Sequence, residues 1–201
     1  MSEIYVVRHG QTQWNQERRY QGQRDIPLSD AGRVQAERAA RYLSDVGIRF
    51  LVSSDLLRAR DTAAIIGERL QLPVLCCSLW RERDYGRWEG LTREEIQIRY
   101  PDEWQNYRAN PQLTAPGGGE TLAQLESRAI RAMRWVIGHY RGCSGVVVSH
   151  GALLRTLLAW ITHQEKPRFH LDNGGITVVK AHGLDHLVVT SINETSHLAD
   201  L

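Results

Sequence analysis

Two short apolar runs in this chain end in the same way. Ile4 to Val7 passes straight into Arg8-His9-Gly10, and Val146 to Val148 passes into Ser149-His150-Gly151. Histidine is the side chain whose ordinary pKa lets it exchange protons near neutral pH. One histidine at a strand end is easily structural, but two in matching positions point to a shared working edge. Arg58 is the third clue. It follows Ser53-Ser54-Asp55, in the first turn of an expected helix. The helix dipole makes that end partly positive, so an arginine there is unfavourable unless an anion joins it. Arg8 and Arg58 together offer two planar guanidinium groups, which match phosphate oxygens and stay charged at working pH. A carboxylate is also at hand, because LWRERDYGRWEG carries Glu82, Asp84 and Glu89. Residue type alone does not choose among the three. The chemistry implied is the handling of a phosphate group, with Arg8 and His9 at its centre.

These residues need a scaffold that brings separate strand ends together. Ile4 to Val7 is β-branched and continuously apolar, as in a parallel strand buried on both faces. Ala36, Ala39, Ala40 and Leu43 recur at helical spacing between Gly32 and Asp45. Phe50 to Val52 is a second strand, closed by Ser53 and Ser54, both good helix N-caps. Leu56, Ala59, Ala63, Ile66 and Leu70 then mark the clearest helix, in steps of three and four. Leu72 to Leu75 is a further short strand. Thr121 opens a long helix with Leu122, Leu125, Ala129, Ala132 and Val136 on one face, and Glu120 reads as part of its cap. Val146 to Val148 leads into a helix carrying Leu153, Leu154, Leu157 and Leu158. Ile176 to Val179 and Leu187 to Ile192, around Gly183, form a closing antiparallel pair. The expected fold is therefore α/β, a three-layer αβα sandwich on a mostly parallel sheet. In such sheets ligands sit beyond the carboxyl ends of the strands. The stretch 85–119, with Trp88, Trp104, Tyr107 and PGGGE, fits this rhythm poorly and reads as an irregular inserted lid or binding loop.

The bulk composition narrows the class further. The 201 residues suit one well-buried domain, 1–201, and 42% hydrophobic with 24% charged residues marks an ordinary globular chain. A net charge of +2 with interspersed signs excludes a basic nucleic-acid arm, so any attraction for anions is local. No apolar run approaches the roughly 20 residues that span a bilayer. Without a signal peptide the expected location is the cytoplasm, with no membrane partner. Cys76, Cys77 and Cys143 give neither a disulfide framework nor a metal pattern, and read as buried or semi-buried thiols. His139, His163, His170, His182, His186 and His197 lack partner motifs and read as surface or packing residues.

Taken together, the motifs resemble the histidine phosphatase superfamily, also called the phosphoglycerate mutase-like family. RHGQTQWN with RYQGQRDIPLS is similar to the family's opening signature, and SSDLLRARDTA to its arginine-bearing helix start. LWRERDYGRWEG resembles its glutamate loop, VVVSHG its second histidine motif, and PGGGETL a loop common in the family. They fall in the family's order along nearly the whole chain. The resemblance implies that His9 is the nucleophile that becomes phosphorylated. It implies that Arg8, Asn15, Arg58 and His150 surround the phosphoryl group, and that Glu82 protonates the leaving oxygen. Asn15, Gln21, Gly22 and Gly151 would bind substrate. Gln11 stands where many members carry Glu, a position without a catalytic role.

The expected activity is thus a metal-independent phosphomonoester hydrolase acting through phosphohistidine on a small-molecule phosphate ester, with no cofactor. Attack by a neutral imidazole nitrogen divides one hard hydrolysis into two easier steps, and fixed cations stabilise the equatorial oxygens. A cofactor-dependent phosphoglycerate mutase is the alternative within the superfamily, although the chain is short for the insertion such mutases carry. α-Ribazole phosphate or phosphoserine are alternative specific substrates, and the selecting residues are expected within 85–119. A metal hydrolase using His9, His150 and Glu82 is chemically conceivable, but Arg8 and Arg58 would repel the cation. A non-catalytic phosphate-binding module is disfavoured because every catalytic residue type is present.

Overall fold

The computed structural model describes residues 2–164, 169–184 and 186–199. In chain order its elements are β1 (Ser2–Arg8), α1 (Gln13–Gln16), α2 (Asp30–Leu43), β2 (Phe50–Ser53), α3 (Leu57–Leu70), β3 (Val74–Cys76), α4 (Arg93–Arg99), α5 (Pro101–Ala109), α6 (Leu122–His139), β4 (Gly145–Ser149), α7 (Gly151–Ile161), β5 (Ile176–Ala181) and β6 (Leu187–Glu194). The six-stranded sheet has the order β3-β2-β4-β1-β5-β6. The first four of these strands run parallel, whereas β5 pairs antiparallel with β1 and β6 antiparallel with β5. The fold is α/β with a mostly parallel sheet, as the alternating sequence periods require.

Alternation of side chains along β1 explains its unbroken apolar run. Ile4 and Val6 pack with Leu125, Ala129 and Met133 of α6 and with Leu153 and Leu157 of α7. Tyr5 and Val7 point the other way, against Ala39, Ala40 and Leu43 of α2 and Ala59, Ala63 and Ile66 of α3. Helices therefore cover both faces, and the strand carries no polar face. Each leucine so buried is worth about 1.5–3 kcal/mol relative to exposure. A helix cap is typically worth about 1 kcal/mol, so the core dominates the placement of α6 and α7.

Helix starts follow local chemistry in most cases. Ser29 caps α2 by accepting from Gly32 N–H, and Thr121 caps α6 in a reciprocal capping box with Gln124. Glu120 is not the cap; its carboxylate pairs with Arg128 at 2.6 Å. Ser53 and Ser54 do not cap α3 either. That helix begins at Leu57, whose N–H donates to Asp25 Oδ1 at 2.8 Å from a distant loop. The third strand lies slightly later than 72–75, at an edge where Cys76 is exposed rather than buried.

The 85–119 stretch is more regular than its sequence suggests. It holds α4, opened by a Thr92–Glu95 capping box, and α5, opened by Pro101. Trp88 is fully buried there, with Trp104 at 5.7 Å and Tyr107 edge-on at 5.4 Å between ring centroids. The aromatic residues that broke the sequence rhythm are the core of this segment. Among the described residues no helix is long and apolar enough to cross a membrane.

Candidate active site

The parallel register of β1 and β4 sets Arg8 opposite Ser149. The next residue on each strand, His9 and His150, therefore emerges beside the other. Their rings lie 5.1 Å apart between centroids and are tilted by 56°. His9 is held on all sides. Its N–H donates to Ser149 O at 2.9 Å, its carbonyl accepts from Asn173 Nδ2 at 2.9 Å, and Gly10 N–H donates to Thr62 Oγ1 at 3.1 Å.

The glycines after the two histidines serve close approach rather than turning, since neither has positive φ. A Cβ on Gly10 would lie 2.3 Å from the Gly32 carbonyl oxygen where α2 passes. A Cβ on Gly151 would stand 3.3 Å from Arg155 and 3.4 Å from Arg8 Nε. Its absence leaves room for two guanidinium groups.

The hydrogen bonds of the His9 ring define its protonation. Nδ1 lies 2.7 Å from Gly10 O, which can only accept, and Nε2 lies 3.3 Å from Arg58 Nε, which can only donate. The ring is therefore neutral, with hydrogen on Nδ1 and the lone pair on Nε2. Burial, then the charges of Arg58 and Arg8, hold its pKa well below 6.5. Burial and Arg58 do the same to His150, whose two ring nitrogens are buried without hydrogen-bond partners.

Arg58 is fully buried, an unusual place for a guanidinium. Its Nη atoms donate to the carbonyls of Arg24 and Gly22, each at 2.8 Å. Burial lowers its pKa to about 10, which still leaves it charged at neutral pH. Arg8 donates to Leu171 O at 2.6 Å, while its buried Nε has no partner.

Geometry also chooses among the three carboxylates. Glu82 lines the same cavity of about 450 Å³ as Arg8, His9, Asn15, Gln21 and Arg58. Its carboxylate accepts from Ala152 and Leu153 N–H, each at 3.1 Å, at the start of α7. A helix start offers unpaired donors and positive potential, so a carboxylate is held firmly there. Glu89 instead accepts from Gln23 N–H at 2.8 Å behind the Gly22 loop, and Asp84 accepts from Gly86 N–H at 2.7 Å within a turn. Asn15 and Gln21 use their carbonyl oxygens on Thr12, at 3.1 and 3.0 Å, so their amide NH₂ groups remain for a ligand. Gly22 joins the lining. His150 and Gly151 stand behind it, His150 against His9 and Gly151 beneath the arginines.

Three contributors escaped the sequence reading. Arg155 lines the cavity four residues after Gly151, one helical turn along α7, and that i,i+4 spacing could have signalled it. Arg128 donates to the carbonyls of Leu79, Arg81 and Glu82 at 3.0, 2.6 and 3.1 Å, so it fixes the loop bearing Glu82. Asn173 ties His9 to Asn15 from a stretch that reads only as a turn, Asp-Asn-Gly-Gly. Among the described residues no three His, Cys, Asp or Glu side chains converge as a metal cluster would require. The remaining histidines pack or face solvent, as His139 stacked on Trp135 and His170 paired with Asp172 show.

A sheet covered on both faces, with paired histidines and arginines at its carboxyl edge, defines an α/β phosphoryl-handling protein. Residues 4–195 match the histidine phosphatase superfamily (branch 1), and the chain belongs to that superfamily. It is 36% identical over 202 residues to phosphoglycerate mutase-like protein 4 of Arabidopsis thaliana, covering 99% of this chain and 88% of the relative. It is 33% identical to the metal-independent phosphoserine phosphatase of the same plant, over 100% of this chain and 85% of that one. Among solved structures, Bacillus stearothermophilus YhfR superposes with a TM-score of 0.89 at 30% identity, covering 98% of this chain and 100% of that one.

Proposed function

We propose that this protein hydrolyses small phosphomonoesters through a phosphohistidine on His9. The observation that carries this reading is the fixed tautomer of His9, with its Nε2 lone pair facing Arg58 in the cavity that Arg8 and Glu82 also line. In the first step Nε2 forms a bond to phosphorus as the ester P–O bond breaks, and Glu82, having taken a proton from the singly protonated phosphate ester, delivers it to the departing oxygen. In the second, water attacks phosphorus, Glu82 takes its proton, and the P–N bond breaks to release phosphate and free His9. Arg8, Arg58 and the Asn15 amide bind the equatorial oxygens, whose negative charge persists throughout. The unpartnered nitrogens of His150 supply a further donor beside His9. Positive charge comes from arginine, so excess chelator should leave turnover unchanged.

A relative named as a metal-independent phosphoserine phosphatase supports hydrolysis rather than transfer. The deciding experiment is rapid-quench turnover of p-nitrophenyl phosphate, with detection of acid-labile, base-stable phosphate on the protein. His9→Ala should abolish both the burst and the labelled protein; full activity in that variant would end the proposal. Conversion of 3-phosphoglycerate to the 2-isomer, dependent on 2,3-bisphosphoglycerate, would assign the intermediate to a mutase instead.

A further inference from the structure

One turn, 171–175, holds Arg8 from three directions. Arg8 Nη1 donates to Leu171 O at 2.6 Å, its backbone N–H donates to Gly175 O at 3.1 Å, and its carbonyl accepts from Gly174 N–H at 3.0 Å. From the same turn Asn173 Nδ2 donates to His9 O at 2.9 Å and to Asn15 Oδ1 at 3.3 Å. The turn therefore sets where three groups of the phosphate pocket stand. Its Asp-Asn-Gly-Gly sequence supplies little rigidity, because the two glycines leave the backbone free to move. The stiffness has to come from outside it.

Two side chains that do not line the pocket supply it. Asn193, near the end of β6, accepts from Asp172 N–H through Oδ1 at 2.7 Å and donates from Nδ2 to Asp172 Oδ2 at 2.8 Å. A Cβ on Gly175 would lie 2.3 Å from that Oδ1, so turn and amide fit closely. Asn193 stands at a bulge, where β6 has one residue more than β5 between the pairs Ile176–Glu194 and Val178–Ser191. Its φ there is 52°, a left-handed conformation that glycine adopts most cheaply. The position nevertheless carries asparagine, whose amide matches Asp172 at two points. His197 follows β6, and its Nε2 lies 3.0 Å from Gly174 O, which can only accept, so Nε2 carries the hydrogen. The other ring nitrogen is buried without a partner, and the ring packs on Tyr42 at 5.3 Å between centroids.

We propose that Asn193 and His197 are positioning residues for the phosphate end of the site. They clamp the 171–175 turn at Asp172 and Gly174, and through it they fix Arg8, His9 and Asn15. The inference rests on the phosphatase reading above and adds two residues to its machinery. The bond chemistry is unchanged, since neither side chain reaches the reacting atoms.

The test is Asn193→Gly in the full chain. Glycine keeps the left-handed backbone and removes only the amide, so a purely conformational role predicts wild-type kinetics. The positioning role predicts a kcat/KM lower by about tenfold or more, the scale of a small misplacement of binding groups. The loss should be equal on ethyl phosphate and p-nitrophenyl phosphate, which share only the phosphoryl group. Calorimetric affinity for orthovanadate, which has no alcohol part, should fall by a similar factor. His197→Phe keeps the ring on Tyr42 without the donor and should show the same losses, whereas His197→Gln keeps a donor and should recover part of them. Wild-type kinetics in Asn193→Gly or in His197→Phe, with folding checked by circular dichroism, overturns the proposal. So does a loss confined to ethyl phosphate, which would place the effect at Glu82. Should Asn193→Gly fail to fold, His197→Phe carries the test on the same readouts. Should the wild type hydrolyse neither ester, the phosphatase reading itself fails. Orthovanadate affinity then decides alone, and equal values in wild type and variant reject the positioning role.

Discussion

Arg58 Nε donates to His9 Nε2 across 3.3 Å, from a guanidinium that is wholly buried. With Gly10 O holding Nδ1 at 2.7 Å, this contact leaves the His9 lone pair on one defined nitrogen. A charge placed there does two jobs. Together with burial it keeps the imidazole unprotonated, and in the proposed reaction it stands beside the phosphoryl oxygens.

Replacing that charge should be costly for the chemical step. Arg58→Gln is expected to lower kcat by about 10²–10³, the scale for losing one transition-state donor. Arg58→Lys keeps the charge but cannot reach Gly22 O, Arg24 O and His9 together, so it should recover only part of the rate. Steady-state kinetics on p-nitrophenyl phosphate, with circular dichroism as a folding control, measures both.

The pH profile carries the same electrostatics with a definite sign. His9 must be unprotonated to attack, and its pKa is held well below 6.5 by burial, Arg58 and Arg8. The acidic limb of kcat/KM should therefore fall below pH 6.5, and Arg58→Gln should move it upward by removing a positive neighbour. A limb that stays in place in the variant would contradict this assignment.

Stability should follow the two histidines as well. His9 and His150 have depressed folded-state values, so the unfolded chain binds more protons than the folded one below pH 6.5. Their contribution is full above pH 6.5 and is lost as pH falls towards the folded-state values. The expected slope is up to about 1.4 kcal/mol per pH unit for each group. Urea unfolding between pH 7 and 5 should show ΔG falling in that window, and less steeply in His150→Gln.

Glu82→Gln separates leaving groups. An alkyl phosphate needs a proton on its departing oxygen, so its turnover should fall by about 10²–10⁴. p-Nitrophenolate leaves readily without one, so phosphorylation of His9 should persist while the phosphoenzyme accumulates. Equal losses on both substrates, with no accumulation, would show that Glu82 is not the proton carrier.

Arg128 is expected to act through position. Arg128→Ala removes the donor to the carbonyls of Leu79, Arg81 and Glu82 and leaves Glu120 without its cation, at a cost of about 3 kcal/mol. Because it touches Glu82 only through the backbone, the alkyl phosphate rate should drop more than the p-nitrophenyl phosphate rate. A uniform drop that simply tracks lost folded protein would mark Arg128 as structural only.

Local patterns carried much of this molecule. The unbroken apolar run Ile4–Val7 and the stepped Leu56–Leu70 face are periodicities that only one kind of element satisfies. Arg8, His9, Arg58 and His150 were legible because each sits at an element end, where a sheet of this kind gathers its ligands. The misreadings share a physical cause. Ser53 and Ser54 have good capping chemistry, yet Asp25 takes the donor at Leu57 through a contact distant in sequence. The 85–119 stretch looked irregular because its apolar residues are aromatics that pack on one another around Trp88, not on the central sheet.

Periodicity and chain order are enough to fix the groups at the strand ends, because they dictate which residues leave the sheet at its carboxyl edge. Distances in space settle which nitrogen of His9 carries the lone pair, and they place Glu82, the glutamate that the family resemblance implied, in the cavity that His9 lines while Asp84 and Glu89 turn elsewhere. They also bring Arg155 to the same cavity. Those outcomes depend on distances between segments remote in sequence, and hydrogen bonding and burial act on distance in space.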